Sequence, residues 1–192
     1  MVPKFKGREV PFLGVLACEP WKTLEKVGMR NLQFESKLRL NRPRDEVFKF
    51  FSDAQNLEEI TPPWLQFQVV SKLPVLMHPD AEIEYRLKIH RVPIVWRSRI
   101  TVWDPPYRFV DEQVRGPYRM WIHEHRFMED SGGTLCEDTV KYVPLGGAII
   151  NSLFVKRDIK KIFAYRSDRL QKILSDPRQA MFTGRRDNIA KF

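Results

Sequence analysis

The chain predicts an α+β fold: a curved antiparallel β-sheet of about seven strands closed by one long C-terminal helix, with two short helices after the first strand. Three observations carry this. Residues 34–40 alternate apolar and polar and lead into two short helical stretches, residues 67–142 read as one strand after another, and residues 147–175 carry apolar side chains at helical spacing. Strands met in unbroken succession imply antiparallel pairing through hairpins, because parallel strands need long crossovers.

In chain order, Phe34, Ser36, Leu38 and Leu40 fall on one side of the first strand and Glu35, Lys37 and Arg39 on the other. Asn41 is a capping residue type, Pro43 suits a first helical turn, and Asp45 and Glu46 sit where the helix dipole favours anions. A short helix bearing Val47, Phe48, Phe50 and Phe51 is expected there. Ser52 and Asp53 open a second through Leu57 and Ile60, which Pro62 and Pro63 end. Strands are then expected over Phe67–Lys72, Ala81–Arg91 and Ile94–Trp103, followed by a hairpin over Phe109–Phe127 and a closing strand over Thr134–Tyr142. Pro144, Gly146 and Gly147 break the sheet. Ile150, Leu153, Ile162, Phe163, Leu170 and Ile173 then mark the apolar face of a helix ending before Pro177. About 28 helical residues span about 42 Å, enough to cross a sheet.

The hairpin holds the unusual side chains. A three-residue loop at Gly116–Tyr118 pairs Gln113 with Trp121, Asp111 with His123 and Phe109 with His125. A two-residue loop would slip the register by one and split this set between faces; the longer loop is preferred because it gathers Phe109, Asp111, Gln113, Trp121, His123, His125 and Phe127 on one face. A four-residue loop at Glu129–Gly132 would next set His123 opposite Asp138, His125 opposite Cys136 and Trp121 opposite Val140. The expected row Asp111, His123, Asp138 reads either as a buried network that fixes register or as an acid/base site, and its two carboxylates should raise the pKa of His123. His123, His125, Cys136 and Asp138 would also suit zinc, but carboxylates satisfy unmetallated histidines too; no metal and no cofactor is expected.

Bulk properties set the bounds. The length of 192 residues allows one domain with a sizeable core, and no apolar run approaches a membrane span. Two cysteines, Cys18 and Cys136, are too few for a disulfide framework, so a cytoplasmic location is expected. The net charge of +9 is peripheral: residues 31–146 carry 16 Lys/Arg against 17 Asp/Glu. No nucleic-acid reader motif accompanies it, so no specific nucleic-acid partner is expected; the basic helix and tail could make only weak contact with anionic surfaces. The expected organisation is an N-terminal extension over 1–31, a ligand-binding domain over 32–176 and a basic tail over 177–192. The run Phe12–Cys18 is read as part of a packed extension rather than as an export signal.

Element order and residues together resemble the SRPBCC or START-like superfamily, the helix-grip fold, and within it the bacterial ligand-binding, polyketide-cyclase-like branch. The matching positions include Asn41, Pro43, Phe48 and Phe51; Ile60, Thr61 and Pro62; Trp96, Phe109 and Asp111; Gly116, Pro117, Trp121, His123 and Phe127; Gly133, Thr134, Asp138 and Tyr142; and Phe163, Tyr165 and Arg166. The likeness covers about residues 32–175. It implies a cavity between sheet and helix holding a small hydrophobic molecule: a lipid, sterol, polyketide or aromatic. On that reading Trp96, Phe109, Trp121, His125, Phe127, Tyr142 and Phe163 are ligand-binding walls, with Gln113 as an orienting polar point. The alternative is a cyclase or dehydratase in which His123, with Asp111 and Asp138, is the catalytic acid/base in the same cavity. A fold shared by carriers, receptors and cyclases does not decide between the two.

Overall fold

A computed structural model describes residues 32–175, so the readings made of the N-terminal extension and the basic tail lie outside the described residues. The strands are β1 (Leu32–Leu40), β2 (Gln68–Val69), β3 (Glu82–Ile89), β4 (Val92–Asp104), β5 (Arg108–Arg115), β6 (Tyr118–Asp130) and β7 (Gly133–Pro144). They form one antiparallel sheet in the order β1-β7-β6-β5-β4-β3-β2, a meander from β2 to β7 with β1 added beside the last strand. Register shifts between Arg97 and Ser98 and between Ile100 and Val102 mark irregularities in β4 against β5, of the kind that bend a strand. The helix-grip fold expected from the sequence is the fold observed.

Helices α1 (Arg44–Phe51) and α2 (Leu57–Ile60) follow β1. Asn41 does not cap α1: Pro43 holds that position without a side-chain bond, because its fixed φ of −55° already turns the chain into the helix. Asp53 acts as expected at the next helical turn, accepting from the Gln55 N–H at 2.9 Å. All four apolar residues of α1 are buried, and Phe48 meets Phe109 and Phe127 edge to face. The strand expected over Phe67–Lys72 shrinks to Gln68–Val69, leaving a very short edge to the sheet.

The C-terminal helix differs from expectation in its phase. Gly147–Ile150 is α-helical, Asn151–Val155 is a π segment, and Lys156–Ser175 is α-helical again. A π segment winds more residues per turn, so positions before it are rotated off the face kept by those after it. Ile150 before the segment and Leu153 within it, read as part of the apolar face, are exposed, whereas Ile159, Phe163, Leu170 and Ile173 are buried. Arg169 donates to the Glu59 carbonyl and Arg42 to the Leu174 carbonyl, tying the helix to α2 and to the segment after β1. No helix among the described residues is long and apolar enough to cross a membrane.

Candidate functional site

The expected β5–β6 register is present: Asp111 faces His123 and Phe109 faces His125. Regular pairing stops at Glu112 and Ile122, so Gln113 does not pair with Trp121. Its side chain instead clasps the turn, donating from Nε2 to the Tyr118 carbonyl at 2.8 Å and accepting from the Tyr118 N–H at 3.3 Å. A Cβ at Gly116 would run into the Gln113 amide and displace it from this clasp.

The β6–β7 register is corrected. Asp130 pairs with Gly133 through a two-residue turn in which Ser131 and Gly132 both have positive φ (47° and 80°). Relative to a four-residue loop, the partner strand slides by two positions: His125 faces Asp138, His123 faces Val140, Trp121 faces Tyr142 and Phe127 faces Cys136. A slide of two keeps every side chain on its expected face and changes only its neighbour.

Both histidines consequently meet both carboxylates. Asp138 Oδ1 lies 3.0 Å from His123 Nε2 and 2.7 Å from His125 Nδ1, and Asp111 Oδ2 lies 3.7 Å from His123 Nδ1 and 3.3 Å from His125 Nε2. The His125 Nδ1 contact is close but out of line, leaving that buried nitrogen without an aligned hydrogen bond among the described residues. The imidazole centroids are 3.8 Å apart, and Phe109 stacks on His125 at 4.2 Å. Ser98 Oγ donates to Asp111 Oδ1 at 3.2 Å, accepts from Trp96 Nε1 at 3.1 Å and bonds the Tyr85 hydroxyl at 2.8 Å. A hydrogen-bonded band thus crosses five strands, from Tyr85 on β3 to Asp138 on β7.

The charge expected on His123 falls on its neighbour. Burial, and then the nearby His125, push the His123 pKa down against the pull of Asp138 and Asp111. Burial opposes charge on His125 as well, but Asp111, bonded at Nε2, and the carboxylate of Asp138, close to Nδ1, lift its pKa above the ordinary value. Burial would raise both carboxyls; the imidazoles overcome it, holding Asp111 low and Asp138 well below the usual range. Burial pushes the Cys136 thiol up to about 12.

Between sheet and C-terminal helix lies a cavity of about 190 Å³. Of the residues read as ligand walls, Trp96, Phe109, Trp121, His125 and Phe163 line it, as do Asp111 and His123. Phe127 lies outside it in the core with α1, and Tyr142 is buried beside the helix, where its hydroxyl donates to Asn151 Oδ1 at 3.0 Å. Gln113 and Asp138 are not on its wall; Asp138 stands behind the two histidines. Among the lining residues that the sequence does not single out as site residues are three with polar groups, Tyr85, Ser98 and Arg166. The signal for Ser98 was its parity with Trp96 and Ile100, which makes it a polar residue on an apolar face. Arg166 lies one turn after Phe163 on the buried side of the helix, its guanidinium 5.3 Å from the Phe51 ring centroid.

Residues 40–161 match the family described as polyketide cyclase / dehydrase and lipid transport, and the chain belongs to that SRPBCC-type family. Among solved structures it is similar to Zhui aromatase/cyclase from Streptomyces sp. R1128, at 15% identity over 74% of this chain and 93% of that one, with a TM-score of 0.58. It is similar too to protein Ms6760 from Mycobacterium smegmatis (16% identity, 80% and 92% covered, TM-score 0.56). A third is ginseng major latex-like protein 151 from Panax ginseng (10% identity, 75% and 97% covered, TM-score 0.58). Identities this low speak for the fold alone. No curated protein matches the chain. Family membership supports hydrophobic-ligand binding or cyclase-type function in general terms.

Proposed function

We propose that the protein binds a small hydrophobic molecule in the cavity between the sheet and the C-terminal helix. The observation that carries this reading is a cavity whose walls are mostly apolar and aromatic, with a minority of polar side chains among them, including Thr61, Ser98, Asp111, His123, His125 and Arg166. Size narrows the ligand. A cavity of about 190 Å³ is comparable to the ~150 Å³ that holds a benzene ring and falls below the ~300–1,000 Å³ of drug-sized pockets. Among lipid, sterol, polyketide and aromatic ligands, a compact aromatic therefore fits the cavity as it stands, and a hydrogen-bond acceptor on it would meet Arg166. Titration with an apolar aromatic fluorophore tests this: saturable one-to-one binding is expected, and Trp121→Ala should enlarge the site and shift its preference toward bulkier probes. Absence of any saturable site across aromatic, sterol and lipid probes would sink the reading.

A second reading is favoured by one feature. His123 and His125 face the cavity with carboxylates behind and beside them, the placement an acid/base step on a bound polyketide-like or aromatic substrate would require. Conversion of a bound substrate, lowered roughly 100-fold or more by His125→Gln while binding persists, would establish it; stoichiometric binding without conversion would refute it.

A further inference from the structure

Three donor atoms converge on the cavity wall. Asp111 Oδ2 lies 3.7 Å from His123 Nδ1 and 3.3 Å from His125 Nε2, and the set falls within 4.8 Å of one another. Bonds of about 2.0–2.2 Å at tetrahedral angles place neighbouring ligand atoms roughly 3.3–3.6 Å apart, so these three can close on one ion with small side-chain movements.

The far side of each donor is already held. Asp138 Oδ1 is hydrogen-bonded to His123 Nε2 at 3.0 Å and lies 2.7 Å from His125 Nδ1, close but out of line, while the second oxygen of Asp111 accepts from Ser98. Carboxylates and hydroxyls placed behind metal ligands do this work: they fix the tautomer and aim the free lone pair. Asp138 is off the cavity wall, whereas Asp111, His123 and His125 are on it, which separates ligands from supports. Charge points the same way, since a dication would balance the carboxylates of buried Asp138 and half-buried Asp111.

We propose that Asp111, His123 and His125 form a site for a divalent transition-metal ion of the zinc or ferrous-iron type, with Asp138 and Ser98 orienting the ligands and the remaining coordination positions open to the cavity. Two imidazoles and one carboxylate are a donor set suited to these ions rather than to calcium or magnesium. The site goes beyond the binding of a hydrophobic molecule and does not depend on it, since probe binding can be measured separately with chelator present.

The test uses the full chain without a histidine tag, stripped by chelator and titrated with zinc and, separately, with cobalt(II), whose visible absorption reports coordination. One ion per chain is expected. Asp111→Asn and His125→Gln should weaken it more than Asp138→Asn, which removes a support and should cost roughly 10- to 100-fold in affinity. His90→Gln, which removes the exposed His90–Asp158 pair, should leave it unchanged. Failure of the folded wild type to take up one ion would overturn the proposal, as would an ion that survives Asp111→Asn and His125→Gln or is lost with His90→Gln. Should the buried substitutions unfold the protein, NMR of the cobalt-loaded wild type decides: paramagnetic shifts at both His123 and His125 support the site, and unshifted rings at either overturn it.

Discussion

His123 and His125 share one strand face and nearly touch, yet their surroundings push them in opposite directions. With chelator present, the stabilisation His125 supplies is full below its unfolded value near 6.5 and fades as pH rises through the higher folded value. The cost of His125→Gln should then be greatest in mild acid. The folded value of His123 lies below its unfolded one, so a neutral buried ring counts against the fold as pH falls, and His123→Gln should cost less in acid than at neutral pH. Thermal melts of both variants across this range check the pair; parallel curves would show that the rings are equivalent. Cys136 offers a simpler readout: its thiol, pushed to about 12, should resist alkylation in the folded protein at neutral pH and react on unfolding. Strand parity suffices to read Asp111, His123 and His125 onto one face, because alternate residues share a side in any register. Which imidazole carries charge depends on burial and on aligned hydrogen bonds, and neither is written in alternation.

The β6–β7 turn shows where legibility ends for an element. Ser131, Gly132 and Gly133 are all turn formers, and the two readings of them differ by two residues, so faces survive while partners change. Gly133 has a reason of its own, since a Cβ there would run into the Leu40 carbonyl of β1. Gly133→Ala should therefore lower stability by roughly 1–3 kcal/mol, whereas exposed Gly132, which meets nothing nearby, should be limited by its positive φ alone. The apolar period of the C-terminal helix is legible from Ile159 onward and misleading before it, because spacing alone does not announce a π segment. Phe163→Ala should cost about 3 kcal/mol, the ring being buried against Phe34 and His123. A chain ending at Gly146 would expose the sheet's apolar face and should not melt cooperatively; a sharp transition would make the helix dispensable.

For the whole molecule, an occupied cavity should be felt everywhere, since a probe that binds only the native state at 100 times its Kd adds about 2.7 kcal/mol. A melting temperature that stays fixed under saturating probe would place that probe outside the folded core. The sheet order has a kinetic side as well. Partners in β1 and β7 stand 94 positions apart at Leu40 and Thr134 and 110 apart at Leu32 and Tyr142, while every other strand pairs with the next in line. A ribosome adding about 5–20 residues per second delivers β7 roughly 5–20 s after β1. Through that interval Leu38 and Leu40 have no sheet to join, and hairpins of the meander, with shorter loops to close, can form ahead of them. The first strand made is thus the last strand seated, and pulse-labelled hydrogen exchange during refolding should find the β1 amides protected after those of β5 and β6.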